Sequence, residues 1–261
     1  MLETLARLGY ASKALIYAIV GYLSVAAALN RGGRVTDTSG ALKFVLTQPF
    51  GKFLLIVLAV GLCGYALWRI LDAITDPDRH GTSFKGLVTR IGNAVRAMVY
   101  GGLAFEAFRL FRGLSGSDGR EAQMWTARFF NFPFGEWLIG LVGLIVGIYG
   151  VSEVISSIKG DKDDKSLDLS PISPRHRGTV RNISRVGVGA RGLIITVVGI
   201  FLVRAAMTSN PSEAHGTRES MLELANAVPG KWALLFIGIG LLAYAFDQAV
   251  HARCRRIRPV L

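Results

Sequence analysis

Six runs free of charged residues, at 14–29, 53–68, 97–105, 137–152, 192–203 and 232–246, alternate with charged stretches along the chain. Each is shorter than the roughly 20 apolar residues of a bilayer-crossing helix. The helices are therefore expected to run past their flanking charges, with Lys13, Arg69, Arg96, Arg191 and Arg204 reaching along their stems toward the headgroups. The third span is interrupted by Glu106, a carboxylate that needs an interface or a partner. The connections 30–50, 112–134 and 206–230 carry short amphipathic stretches, such as 41–46 and 220–225, which predict interfacial helices on the outer face. The segment 159–184, with Asp161, Asp163, Asp164, Pro171 and Pro174, reads as a polar linker.

The pattern is written three times. Arg7, Arg90 and Arg185 are each followed two residues on by glycine (Gly9, Gly92, Gly187) and six residues on by a second base (Lys13, Arg96, Arg191). A second glycine comes 44 or 45 residues after each arginine (Gly51, Gly135, Gly230), with proline just before it (Pro49, Pro133, Pro229) and tyrosine 14 residues after it (Tyr65, Tyr149, Tyr244). Such self-similarity means one supersecondary unit repeated. Repeat 1 covers 1–78, repeat 2 covers 79–158, the linker 159–184 follows, and repeat 3 with a basic tail covers 185–261. Two spans per unit is an even number, so all units share one orientation. The expected fold is all-α and integral to the membrane: six transmembrane helices forming three parallel hairpins with pseudo-three-fold symmetry about the membrane normal. Inverted repeats, frequent in alternating-access carriers, have their axis in the membrane plane instead.

Composition agrees, with 51% of residues hydrophobic and 18% charged. Of the thirty lysines and arginines, nineteen fall in the segments that share a side with the termini and eleven in the hairpin connections. Basic residues favour the cytoplasmic side, so both termini are expected inside. The same bias accounts for most of the net charge of +12 without nucleic acid. The tail arginines Arg253, Arg255, Arg256 and Arg258 suit anionic lipid headgroups, or a simple stop-transfer anchor. Lys13 ahead of an apolar run, with Ala26 to Ala28 after it, resembles a cleavable signal. Because the equivalent spans in repeats 2 and 3 are internal, the first helix is expected to stay in the mature protein. Cys63 and Cys254 fall on different elements and predict neither a disulfide nor a metal site.

The run Pro49-Phe50-Gly51-Lys52-Phe53-Leu54-Leu55, with Gly61-Leu62 and Tyr65-Ala66-Leu67-Trp68-Arg69, resembles the second helix of the repeat in the bacterial DUF1206 membrane proteins. Pro133-Phe134-Gly135-Glu136-Trp137-Leu138 with Tyr149 is similar, as is Pro229-Gly230-Lys231-Trp232-Ala233-Leu234-Leu235 with Gly240-Leu241 and Tyr244. The third unit departs by placing Ile195 where Tyr17 and Tyr100 stand and by losing one residue between proline and glycine. The resemblance implies tandem pairs of transmembrane helices and brings no activity with it.

Candidate chemistry concentrates in one basic layer. Lys13, Arg96 and Arg191 lie about 9 Å along their helices from Arg7, Arg90 and Arg185. Tyr17 and Tyr100 follow four residues later and share a face with Lys13 and Arg96. Unpaired charges in a span cost roughly 2.5–3.5 kcal/mol each on insertion scales, so partners are expected, and Asp72, Glu153 and Asp247 are the acidic candidates. The layer would either form structural base–acid pairs or converge on a phosphate headgroup or small anion. Glycines at three- and four-residue spacing (Gly61 and Gly64; Gly140, Gly143, Gly147 and Gly150; Gly238 and Gly240) predict close helix packing. Tyr10, Tyr22, Trp68, Trp137 and Trp232 read as interfacial anchors.

The chain offers no catalytic motif, no cofactor fingerprint and no metal-binding spacing, and its histidines, His80, His176, His215 and His251, fall in connections or at a helix end. The expected role is therefore non-enzymatic and cofactor-free: interaction with bilayer lipid, with a membrane-protein partner, or with further copies of itself. A small channel or transporter for an anion or lipid is the alternative.

Overall fold

The computed structural model describes residues 2–75, 84–114, 121–160, 167–227 and 232–255. Asp161, Asp163, Asp164, Pro229, Gly230, Arg256 and Arg258 lie outside them. The helices are α1 (Leu2–Ala28), α2 (Thr38–Leu46), α3 (Gly51–Thr75), α4 (Phe84–Phe111), α5 (Glu121–Phe130), α6 (Gly135–Lys159), α7 (Pro174–Met207), α8 (Thr217–Ala227) and α9 (Trp232–Cys254), with one 3-10 turn at Pro211–Glu213. Five of them, α1, α3, α6, α7 and α9, are long and apolar enough to cross a membrane. The chain is thus a multi-pass helical membrane protein. Helix α4 has 28 residues, the length of a span, but Arg90, Arg96, Glu106 and Arg109 are spread along it and break up its apolar run.

The polar segment before repeat 3 is shorter than expected. Its second half is already the start of α7, because Pro174 occupies the first turn, where its missing amide costs nothing. Before it, Leu167 bridges Arg255, and the Asp168 amide donates to the Cys254 carbonyl at 2.7 Å, tying the connection to the end of α9.

Helices α3 and α6 start in the same way. Phe50 and Phe134 are both held in left-handed backbone (φ 60° and 64°) and both point outward. The next residue is glycine, whose missing Cβ leaves room for the Val45 and Leu46 carbonyls at Gly51 and for the Phe129 carbonyl at Gly135. The Pro-Phe-Gly turn thereby folds the short helices α2 and α5 back onto α3 and α6, which follow them. Helix α2 buries Ser39, Ala41, Leu42 and Val45 against α1, α3 and α4, closing one end of the bundle instead of resting freely in the interface.

Three helix pairs follow one rule: the second long helix of a repeat packs on the first long helix of the next. They are α3 on α4, α6 on α7, and α9 on α1. Glycine makes the approach possible. Gly143 and Gly199 meet across α6 and α7, as do Gly150 and Gly192, and Gly21 meets Gly238 across α1 and α9.

Packing within a repeat does not follow one rule. Helix α1 packs on α3 and α7 on α9, but among the described residues no α4 Cα comes within 8 Å of an α6 Cα. The difference is visible at single positions. A Cβ on Gly9 would run into Tyr65, and one on Gly187 into Tyr244, whereas one on Gly92 would meet nothing within 4 Å. Likewise Gly61 abuts Ser12 and Gly240 abuts Ala190, but the corresponding pair in repeat 2 is Ile145 and Val95, two branched side chains.

Candidate functional site

The arginines that open the repeats serve the helix ends. Arg7 donates to the Ala252 and Arg253 carbonyls at 2.8 and 2.5 Å, at the C-terminus of α9. Arg90 donates to the Ala73 and Ile74 carbonyls at 2.7 and 3.2 Å, at the C-terminus of α3. Arg185 lies against Gly160, the left-handed cap of α6. Arg7 and Arg90 thus meet carbonyls left without intrahelical partners and Arg185 lies at the corresponding end of α6, so each stands at the negative end of a helix dipole and joins neighbouring repeats. They stand apart from the second basic layer.

Lys13 is buried among α1, α3 and α4. Its ammonium donates to the Tyr65 hydroxyl at 3.4 Å and sits over the rings of Tyr65 (4.6 Å), Tyr100 (4.7 Å) and Tyr10 (5.4 Å). Arg96 donates to the Tyr149 hydroxyl at 2.8 Å and to Asn93 Oδ1 at 3.1 Å. Arg191 lies 5.2 Å from the Tyr244 ring centroid. In all three repeats, then, the basic residue of the first long helix meets the tyrosine of the second. Tyr65 in turn packs edge-on against Tyr100 (4.9 Å), and Tyr244 against Tyr17 (4.7 Å). At the third such junction Ile195 takes the place of a tyrosine.

The carboxylates are distributed differently. Glu153 pairs with Arg191 at 3.5 Å, across repeats 2 and 3. Asp72 pairs with Arg69 at 3.2 Å and accepts from Asn93 at 2.8 Å, and it does not meet Lys13. Asp247 faces His251 at 3.5 Å and accepts from the Gln248 amide at 2.8 Å. Among the described residues neither Lys13 nor Arg96 has a carboxylate within ion-pair distance. Their charges are held by ring faces, hydroxyls and an amide, which solvate a cation without neutralising it. Glu106, inside α4, accepts from the Ser39 hydroxyl at 2.6 Å, so α2 supplies a partner.

Several of these roles were not assigned from sequence. Arg69 does not reach for headgroups: it is buried and bonds the Tyr65, Tyr10, Asn93 and Asp72 side chains on three helices. Tyr10 and Trp68, read as interfacial anchors, are also buried, and Arg255 lies over both rings at 5.3 and 5.0 Å. His251 stacks on Tyr10 at 5.4 Å. Tyr22, Trp137 and Trp232 do face outward. The signal that would have found the tyrosine partners was present: Tyr65, Tyr149 and Tyr244 hold a fixed register to the second glycine of each repeat.

A family model described as Domain of Unknown Function (DUF1206) matches the chain three times, at residues 8–76, 91–160 and 186–255. Each match begins one residue after a helix-capping arginine. The chain belongs to the DUF1206 family. A relative of this DUF1206 protein, described as the uncharacterized protein YxxB of Bacillus subtilis (strain 168), is 34% identical over 238 residues, spanning 91% of this chain and 86% of the relative. No solved structure matches.

Proposed function

We propose that this protein is a six-span bundle of three parallel hairpins in a bacterial plasma membrane, with both termini cytoplasmic, and that it binds an anionic lipid headgroup without catalysing a reaction. Helix α4 counts as the sixth span because it packs along the apolar α3, because Ser39 serves its internal carboxylate, and because Met98, Val99 and Phe105 lie exposed on its surface. The excess of basic residues on the side of the termini supports the orientation.

One observation carries the binding reading: among the described residues Lys13 and Arg96 are stabilised by neutral groups, so the layer keeps positive charge that no described carboxylate pairs within a low-dielectric bundle. A phosphate would supply what the carboxylates do not, since charge-assisted bonds from Arg or Lys to phosphate are the strong ones. The gap between α4 and α6 opens sideways along the bundle and favours a membrane lipid over a small anion passing through a central pore.

The test is the lipid that accompanies the purified protein, measured by native mass spectrometry. Wild type is expected to retain anionic phospholipid through delipidating detergent exchange, and the K13M/R96M/R191M protein to lose it while remaining folded. Equal retention by both proteins overturns the reading. For topology, Val35→Cys and Ser212→Cys should react with an impermeant maleimide from outside the cell. Labelling of the two on opposite sides removes the parallel-hairpin scheme.

A further inference from the structure

Repeat 2 is the one unit whose two long helices do not pack, and its sequence explains why. In repeats 1 and 3 the crossing is made by Gly61 with Ser12 and by Gly240 with Ala190, whereas repeat 2 places Ile145 and Val95 at those positions. The branched residues do not fill the space between the helices: Val95 is 47% exposed, Ile145 58% and Ile148 61%. Packed helices lie about 8–10 Å apart axis to axis. With Cα atoms about 2.3 Å from each axis, a pair with no Cα atoms within 8 Å of each other has its axes separated by about 12 Å or more. The slit is bridged by Arg96 reaching the Tyr149 hydroxyl at 2.8 Å. Beside that bond α4 carries the exposed Val95 and Val99 and α6 the exposed Ile145 and Ile148, all aliphatic.

We propose that this slit is a lateral binding groove for a single anionic diacyl phospholipid, one acyl chain lying between α4 and α6 and the headgroup phosphate meeting Arg96 and Tyr149. The proposal rests on the lipid-binding reading above and adds to it the place and the occupant. Charge complementarity selects that occupant: among the described residues Arg96, the cation bridging the slit, has a hydroxyl and an amide as its partners, and the aliphatic side chains beside it suit a hydrocarbon chain. A free phosphate would leave the aliphatic walls empty, and a neutral lipid would leave Arg96 without a counter-charge. Repeats 1 and 3 offer no such place, because Gly9 and Gly187 bring their helices into direct contact.

The test uses the full-length protein in detergent with phosphatidylglycerol bearing a diazirine in its acyl chain, followed by peptide mass spectrometry. Crosslinks are expected to concentrate on residues 95, 99, 145 and 148. Arg96→Met should reduce them at least tenfold, and phosphatidylcholine carrying the same diazirine should label the slit no more than the outer faces of α1 and α3. Val95→Trp should block labelling. Should that variant fold poorly, Val95→Cys, made in protein lacking Cys63 and alkylated after purification, blocks the slit in molecules that are already folded. Equal labelling by phosphatidylcholine, full competition by inorganic phosphate, or a crosslink across the slit to a second copy each overturns the proposal. Loss of lipid in the triple basic variant without labelling of the slit overturns the groove but spares headgroup binding. Slit labelling that survives the triple variant overturns both, since Arg96 would then hold no phosphate.

Discussion

Replacing Lys13 by methionine keeps the length of the side chain and removes its charge. A cation at the centre of a span costs roughly 2.5–3.5 kcal/mol on insertion scales. Three ring faces at 4.6, 4.7 and 5.4 Å return about 0.5–1 kcal/mol each, more where desolvated. The long hydrogen bond to Tyr65, 3.4 Å, adds about 0.5 kcal/mol. Cost and return nearly cancel, so Lys13→Met is expected to change stability by no more than about 1 kcal/mol, a Tm shift of roughly 2–4 °C for a chain of this size. Lipid retention should respond far more strongly to Arg96→Met, which removes the cation at the α4–α6 slit. A hydrogen bond to a charged group contributes about 1.5–3 kcal/mol, so loss of an Arg–phosphate bond predicts a fall in affinity on the order of tenfold to a hundredfold. The assay pairs thermal unfolding in detergent with native mass spectrometry of the same preparations. A fall in Tm of more than about 10 °C together with unchanged lipid stoichiometry would show that the cation serves the fold, and the argument from neutral partners would then be wrong.

Other consequences of the packing can be checked by thermal unfolding. Gly9→Ala and Gly187→Ala should each destabilise by about 1–3 kcal/mol through overpacking against Tyr65 and Tyr244, whereas Gly92→Ala faces open space and should be neutral or stabilising by up to about 1 kcal/mol from helix propensity; equal losses at all three positions would mean that the α4–α6 slit closes in the membrane protein. Arg90→Gln should remove a helix-end interaction of about 0.3–1 kcal/mol and loosen the junction of α3 and α4, read as faster proteolysis near residues 73–90. Phe134→Gly relieves left-handed strain of about 1–2 kcal/mol and should raise Tm in detergent; an unchanged or lower Tm would show that the exposed ring has a packing partner.

The one-dimensional pattern determined much of this protein. Apolar run lengths and a three-fold register of arginine, glycine, proline and tyrosine are local quantities, and from them came the long helices, the short helices between them and the glycine packing faces. Even the departure of repeat 2 is written at Val95 and Ile145, although its meaning is not. Which face of a helix meets which neighbour depends on the rotation of each rod and on the approach its smallest residues allow. Tertiary packing therefore decided that Arg7, Arg90 and Arg185 serve helix ends, that Arg69, Tyr10 and Trp68 turn inward, and that tyrosines rather than Asp72 and Asp247 receive the basic layer. It also decided the open side of repeat 2, where Val95 and Ile145 stand at the crossing that small residues make in the other repeats and the two helices stay apart.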